Sequence, residues 1–269
     1  MVQSEKNIIN AKPYAAPMEN GNVLVLVGRG GKRYLVRSGQ GMKEIAGLGV
    51  VDTSRLTESL PSGSVSIAGK EFFLAEASLP DMLSCLKRGA QIIMPKDAAQ
   101  IVMNCGIGPG KKVLEVGTGS ASLTLALAHF VGSGGKVITY ESNPKHARNA
   151  WGNIQMSGMD SIVEMREADA STCTDESMYD AVIMDMPEPW VILDAMTGAL
   201  KTGGYICAYI PTMNQAETVI KAMREMGYSE THVLENIQRE IVVGSGGTRP
   251  SFEMLGHTGY LCFGRKIMP

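Results

Sequence analysis

Apolar positions recur along this chain in two rhythms that alternate. Short, nearly continuous apolar runs at Lys112–Val116, Lys136–Glu141, Ile162–Glu167, Asp180–Asp185 and Gly204–Ile210 read as strands. Stretches with helical spacing separate most of them, at Ala121–Phe130, Pro144–Met156, Trp190–Leu200 and Asn214–Met226. A strand that is apolar on both faces needs cover on both sides. Helices crossing between successive strands supply it, so this region predicts a doubly wound, mostly parallel sheet. Two more strand-like runs, His232–Val243 and Gly259–Arg265, have no helix between them and are expected to form an antiparallel edge pair, bringing the sheet to seven strands. Gly244–Gly247 between them reads as a mobile loop.

The first third of the chain has a different texture. Asn22–Val27 and Lys32–Arg37 flank a turn at Gly28–Gly31, and Ser64–Ile67 and Glu71–Leu74 add further β signals. Residues 1–78 are therefore expected to form a small β-rich, barrel-like domain. From Pro80 the pattern becomes helical, at Asp81–Leu86 and Asp97–Met103, which places a boundary near residues 76–80 and a second domain over 79–269. Neither repeats nor low-complexity tracts are present.

Composition narrows the class. With 44% hydrophobic and 19% charged residues, and no apolar run approaching the roughly 18 residues of a membrane span, a soluble protein without a membrane partner is expected. Met1–Lys6 lacks the pattern of a secretory signal, so the expected location is cytoplasmic. The cysteines (Cys85, Cys105, Cys173, Cys207, Cys262) and the histidines (His129, His146, His232, His257) are scattered, which argues against a disulfide framework and against a metal. Net charge is −2, but residues 1–110 carry 12 basic against 9 acidic side chains and residues 111–190 carry 6 against 11. The N-terminal third thus leans basic, a weak pointer to an anionic partner.

In an open α/β sheet a ligand sits beyond the carboxyl ends of the strands, where the backbone must approach it closely. Gly117 and Gly119 follow the strand Lys112–Val116 and precede a helix, which is that position. Ser122 stands where a nicotinamide fingerprint would carry its third glycine, so the pyrophosphate motif is incomplete. Acids instead occupy successive strand ends: Glu115, Glu141, Asp169 and Asp185. The ribose diol, adenine amine and α-ammonium of S-adenosylmethionine are donors suited to carboxylates. Glu141 would accept from the ribose hydroxyls and Asp169 from the adenine amine, with Glu115 near the amino-acid end.

The segment Asp185-Met-Pro-Glu-Pro-Trp190 closes the fourth strand. It resembles the Asp/Asn-Pro-Pro-aromatic signature of methyltransferases that act on amino-bearing bases. Adenine N1 is unprotonated and nucleophilic at neutral pH, so catalysis there is chiefly alignment. Alkylation makes the ring cationic and its exocyclic amine a stronger donor; a carboxylate on that edge, Asp185, would stabilise the developing charge.

Taken together, Arg88–Asp97, Glu115–Thr124, Asp185–Pro189 and Gly256–Leu261 resemble the tRNA (adenine-N1)-methyltransferase family that modifies the T-loop at position 58, in order and across about residues 18–266. The Gln-Ile-Ile-x-Pro-Lys-Asp and Gly-His-Thr-Gly segments discriminate far better than the glycine turn. The resemblance implies a Rossmann-like class I methyltransferase fold with a small N-terminal β-domain, S-adenosylmethionine as cofactor, tRNA as partner and a homotetramer. By resemblance Gln91, Gly117, Gly119, Ser120, Ala121, Ser122, Leu123, Glu141, His146, Asp169, Ala170 and Asp185 line the cofactor and adenine sites. Met94, Pro187, Arg249, His257 and Thr258 fall toward the target base. Two positions depart from the family: Ala121 replaces a glycine, and Met94 stands where relatives carry Tyr or His. The basic side chains Arg29, Lys32, Arg33 and Arg37 are candidates for phosphate contacts. Other readings remain at this stage: a small-molecule or isoaspartyl methyltransferase, a non-catalytic tRNA-binding subunit, and a nicotinamide-dependent oxidoreductase.

Overall fold

The structure is a computed structural model that describes residues 21–89 and 91–267. Met1–Lys6, the first 20 residues of the expected N-terminal domain, and Ala90 of the Arg88–Asp97 segment lie outside them.

The N-terminal region contains β1 (Val23–Gly28), β2 (Arg33–Arg37), β3 (Met42–Ile45), β4 (Gly49–Asp52), the short helix α1 (Leu56–Ser59), β5 (Ser64–Ile67) and β6 (Lys70–Glu76). Four strands form an antiparallel sheet in the order β2-β1-β6-β5 around Leu24, Leu26, Val36, Phe72 and Leu74. Among the described residues this sheet does not close into the barrel the spacing suggested; β2 and β5 remain its two ends. The hairpin β3–β4 escaped the sequence reading because Lys43 and Glu44 interrupt it and glycines bound it, leaving no apolar run to detect.

Helices α2 (Leu79–Ser84) and α3 (Pro95–Asn104) lead into the large sheet. There follow β7 (Lys112–Val116), α4 (Ser122–Val131), β8 (Lys136–Glu141), α5 (Pro144–Met156), β9 (Val163–Glu167), β10 (Tyr179–Asp185), α6 (Leu193–Ala199), β11 (Leu200–Ile210) and α7 (Met213–Glu225). The chain then forms β12 (Ser229–Glu235), the hairpin β13 (Ile241–Gly244) and β14 (Gly247–Pro250), and β15 (Tyr260–Arg265). Seven strands hydrogen-bond in the order β12-β15-β11-β10-β7-β8-β9, with β15 alone antiparallel to its neighbours. This is the doubly wound, mostly parallel sheet that the alternation predicted, in the Rossmann-like arrangement that the resemblance implied. The strand order reverses between β7 and β10, opening a crevice beyond their carboxyl ends.

Both faces of the sheet are covered. Val113, Val137 and Ile183 pack with α3, α4 and α5, while Leu114, Ile138 and Val182 pack with α6 and α7. The expected continuous strand His232–Val243 is broken. Asn236 leaves the ladder because its side-chain amide donates to Lys96 O (2.8 Å) while its carbonyl accepts from Lys96 Nζ (2.5 Å). The chain beyond it folds into β13–β14, so Gly244–Gly247 is a hairpin turn, and β12 and β15 form the expected antiparallel pair at the edge of the sheet, with β15 the inner strand, against β11, and β12 the outer one. The expected helix Trp190–Leu200 is shortened at both ends, to a 3-10 turn at Pro189–Ile192 followed by α6, and Leu200 already belongs to β11.

The small sheet is riveted to the large one by a buried charge pair. Arg37 Nη1 donates to Asp160 Oδ1 (3.3 Å) and Gln155 O (2.9 Å), and both charged side chains are 3% exposed. Arg33 is likewise paired, with Asp81 at 3.3 Å. Of the four basic side chains considered for phosphate contacts, Arg37 is therefore a structural residue. Removing one member of a buried pair strands the other's charge. Arg37→Ala is expected to lose about 3 kcal/mol of unfolding free energy, measured by urea denaturation.

Candidate active site

The turn after β7 is shaped by a close crossing. Gly117 has φ of +90°, and a Cβ on it would stand 2.1 Å from Asp185 O. Only glycine satisfies both the left-handed backbone and that contact. The turn is fixed from beneath: Gly117 N and Thr118 N donate to Tyr140 O (3.0 and 3.2 Å), and the Thr118 and Thr139 hydroxyls share a 2.7 Å hydrogen bond. Ala121 sits at φ +64° at the start of α4, a left-handed conformation that a glycine would take without strain. Alanine is accommodated at a cost of about 1 kcal/mol.

A cavity of about 480 Å3 opens over this turn, lined among others by Gln91, Gly117, Gly119, Glu141, His146, Asp169, Ala170, Asp185 and Pro187. Most of the expected cofactor residues thus converge on one crevice. Glu141 is oriented by two backbone donors, Gly119 N to Oε2 and Asn143 N to Oε1, both 2.9 Å. Each oxygen keeps a free lone pair for a further donor. Asp169 caps a short turn, accepting from Ser171 N at 2.8 Å, a hydrogen bond that holds its carboxyl below the usual range. Asp185 ends β10 at the cavity wall. Burial, and secondarily the neighbouring Glu141 carboxylate, push its pKa up to about 7.

Glu115 is placed elsewhere. It is fully buried beneath the turn, accepting from Thr124 Oγ1 (2.6 Å) with Oε1 unpartnered, and it does not line the cavity. Desolvation raises its pKa from an ordinary 4.5 to about 8. Ser120, Ser122 and Leu123 are also buried, on the far side of the turn. Two of them tie the Arg88–Asp97 segment to it: Gly89 N donates to Ser120 Oγ (3.0 Å) and Ser122 Oγ to Ile93 O (3.2 Å).

The residues expected near the target base divide. Pro187 lines the cavity mouth; Met94, 36% exposed, caps α3 outside the lining. Arg249 lies on the β13–β14 hairpin, its guanidinium 4.1 Å above the Phe252 ring, and a single chain does not bring it to the cavity. His257 and Thr258 are engaged with the protein. The His257 ring nitrogens meet two acceptors, Glu235 Oε1 (2.7 Å) and Pro211 O (2.8 Å), and these hydrogen bonds raise its pKa. Thr258 Oγ1 donates to Asp97 Oδ2 (2.8 Å) and accepts from Lys96 Nζ (2.7 Å), which also reaches Asp97 Oδ1 (2.7 Å). Two sequence segments some 160 residues apart, Pro95–Asp97 and Gly256–Gly259, are in this way one hydrogen-bonded unit.

Sequence reasoning missed Tyr209. It is the penultimate residue of β11, opposite Asp185 in the parallel register, is buried, and leaves no room for a side chain at Gly259, where a Cβ would stand 2.5 Å from its Cζ. Its hydroxyl lies near Thr258 and the Asp97 and Asp185 carboxylates, and burial pushes its pKa up to about 12. A tyrosine one residue before the end of the strand next to the fourth was the available signal. Among the described residues no cluster of His, Cys, Asp and Glu is arranged to hold a metal ion, and no helix is long and apolar enough to cross a membrane.

Comparison with known proteins places this geometry. The family model for the tRNA methyltransferase complex GCD14 subunit matches residues 77–246. The tRNA (adenine(57)-N(1)/adenine(58)-N(1))-methyltransferase of Methanocaldococcus jannaschii is 33% identical over 267 residues, covering 90% of this chain and 94% of that protein. The chain belongs to the tRNA (adenine-N1)-methyltransferase family. Among solved structures, this family member is similar to the tRNA (m1A58) methyltransferase of Aquifex aeolicus, with TM-score 0.70, 26% identity and coverage of 94% of this chain and 100% of that one. It is also similar to an S-adenosylmethionine-dependent O-methyltransferase of Thermotoga maritima, with TM-score 0.75, 29% identity and coverage of 94% and 95%.

Glu115 yields a stability prediction that is independent of catalysis. Its folded pKa of about 8 lies above its ordinary 4.5, so its burial is tolerated in the protonated form and stability is lost as pH rises between those values. Glu115→Gln removes that titration. Differential scanning calorimetry is expected to show the variant's Tm gaining on that of the wild type as pH increases from about 5 to about 9.

Proposed function

We propose that this chain transfers a methyl group from S-adenosylmethionine to N1 of an adenine in the T-loop of tRNA, at position 58, with position 57 a candidate second target. The observation that carries this reading is the carboxylate of Asp185 at the wall of the cavity, bracketed by the Gly117 crossing, Pro187 and Tyr209.

The residues present fit the cofactor. The bare backbone of Gly117 lines the cavity while packing directly on Asp185, and Glu141 presents two oriented oxygens with spare lone pairs, matched to a ribose diol. Asp169 and Ala170, beyond β9, suit the adenine edge, and Gln91 and His146 face the same space. When bound, S-adenosylmethionine supplies an electrophilic methyl group on a positively charged sulfur. The protein's part is alignment and electrostatics. The target adenine leaves its pairing in the tRNA elbow and enters beside Pro187, with the Asp185 carboxylate facing its exocyclic amine. As N1 gains a bond the amine becomes a stronger donor, and a carboxylate in a desolvated wall stabilises that charge more than water would. The Tyr209 ring, fixed against Gly259 by the Lys96–Asp97–Thr258 unit, bounds the base on the adjacent strand.

This reading extends to assembly. On the β13–β14 hairpin and its flanks Ile237, Ile241, Val243, Phe252 and Leu255 are each more than half exposed. So large an apolar surface favours burial against another subunit, and it supports a homotetramer. The chain is read as two domains meeting near residue 78, an N-terminal β-rich module and the methyltransferase domain, and as acting in the cytoplasm, where it would meet tRNA.

Incubation with an unmodified tRNA transcript and labelled cofactor, followed by digestion and mass spectrometry, is expected to give 1-methyladenosine. A 2′-O-methylated or otherwise modified nucleoside would overturn the assignment. Asp185→Ala is expected to lower the single-turnover rate by about 100-fold or more. Because the carboxylate is the active form, that rate in the wild type should fall as pH drops below about 7. Gly117→Ala is expected to abolish cofactor binding by calorimetry, since the new methyl collides with backbone.

A further inference from the structure

A second cavity, of about 450 Å3, lies wholly within the N-terminal module. Its lining combines three cations, Arg29, Lys32 and Lys70, with the aromatic rings of Tyr34 and Phe72 and one carboxylate, Glu71. The rings are set edge to face, centroids 6.2 Å apart, and Lys32 Nζ lies 5.0 Å over Tyr34. The β3–β4 turn closes one side, for a Cβ on Gly47 would stand 3.3 Å from Lys32 Nζ and 3.4 Å from the Tyr34 hydroxyl. Among the ion pairs of the described residues none involves Arg29, Lys32 or Lys70, whereas Arg33 and Arg37 of the same sheet are both paired. Three of the module's described cations that stand outside those ion pairs are thus gathered at one concave, ring-lined place, with Lys43 on the β3–β4 hairpin the exception.

That place shares no lining residue with the Asp185 cavity and is set back from the junction with the rest of the chain. β1 begins at Val23, which packs against Gly158 of the large domain, and ends at Gly28 in the cavity wall. Five residue steps of extended strand put about 17 Å between the junction and the pocket.

The geometry points to a second RNA-binding site: the pocket holds one unstacked nucleotide of the tRNA, outside the T-loop. Its phosphate is met by Arg29, Lys32 and Lys70, its base rests against Tyr34, and Glu71 accepts from a ribose hydroxyl or a base amine. Cations beside an aromatic platform are the means by which proteins hold single nucleotides of RNA. A carboxylate among them disfavours a bare anion such as inorganic phosphate. This inference rests on tRNA being the substrate. It adds a contact that orients the L-shaped molecule while its elbow is opened at the Asp185 cavity.

The test compares wild type with the double variant Lys32→Glu/Lys70→Glu, both changes at exposed side chains, in mobility-shift titrations with an unmodified tRNA transcript at several salt concentrations. The expected result is binding at least about tenfold weaker and a salt slope shallower by about 2, one unit per lost phosphate contact. Tyr34→Leu keeps apolar bulk but removes the platform, and is expected to weaken binding about tenfold with no change in salt slope. S-adenosylmethionine affinity by calorimetry should be unchanged in all three proteins, which also verifies folding. Wild-type affinity and salt slope in the double variant would overturn the site. Binding of adenosine monophosphate that is lost in the double variant, with tRNA affinity and salt slope at wild-type values, would replace an RNA contact with a free-nucleotide site. A wild type whose tRNA binding depends on Lys32 and Lys70, but which methylates nothing, would remove the proposed reaction and leave this contact standing.

Discussion

At Gly117 the backbone of the first strand's turn passes so close to Asp185 O that a methyl carbon would stand 2.1 Å from it. Much of the site follows from this contact. It brings the turn proposed to hold the cofactor against the strand end that carries the proposed acceptor-facing carboxylate, without a side chain between them. It occurs at the one place in the sheet where neighbouring strands send their connections to opposite faces, so that nothing else fills the gap. A residue with a side chain here would push β7 and β10 apart at their carboxyl ends and separate Glu141 from Asp185.

Around that contact the four strand-end acids take distinct physical roles. Glu141 is held by two backbone amides and stays directed at the cavity; Asp169 is stabilised by its own turn; Asp185 is desolvated and poised near neutrality. Glu115, the most deeply buried, acts as a buried acid under the turn, hydrogen-bonded to Thr124. In sequence all four appear equivalent. What separates them is local geometry: the direction in which each side chain leaves its strand, and whether backbone donors or apolar walls meet it.

Of the two most discriminating segments of the sequence, Gln91 lines the cavity while the remaining motif residues serve mainly to join the segments to each other. Lys96, Asp97, His257 and Thr258 are chiefly bonded to one another and to the strand termini around them. Their specificity is that of a joint in which every donor needs its acceptor, and in a buried setting such a network tolerates few alternatives. Its effect reaches the site through Gly259 and Tyr209. The same economy appears in the small sheet, where Arg37 and Arg33 of β2 pair with Asp160 and Asp81 outside it.

The alternation of apolar runs and amphipathic stretches by itself determined the parallel sheet, its helices and the turn at Gly117 and Gly119, because both-face burial and 3.6-residue spacing are written in local residue order. It also marked Glu141, Asp169 and Asp185 as strand-end acids. Only the tertiary structure decided that β15 inserts between β11 and β12, that Asn236 breaks its strand, that Arg37 is a buried rivet, and that Tyr209 lies beside Asp185. Each of these depends on a partner between about 50 and 140 residues away, or on a strand order that local patterning does not encode. The physical reason is that periodicity reports which face of an element is buried, while the partner against which it is buried is chosen by packing of the whole chain.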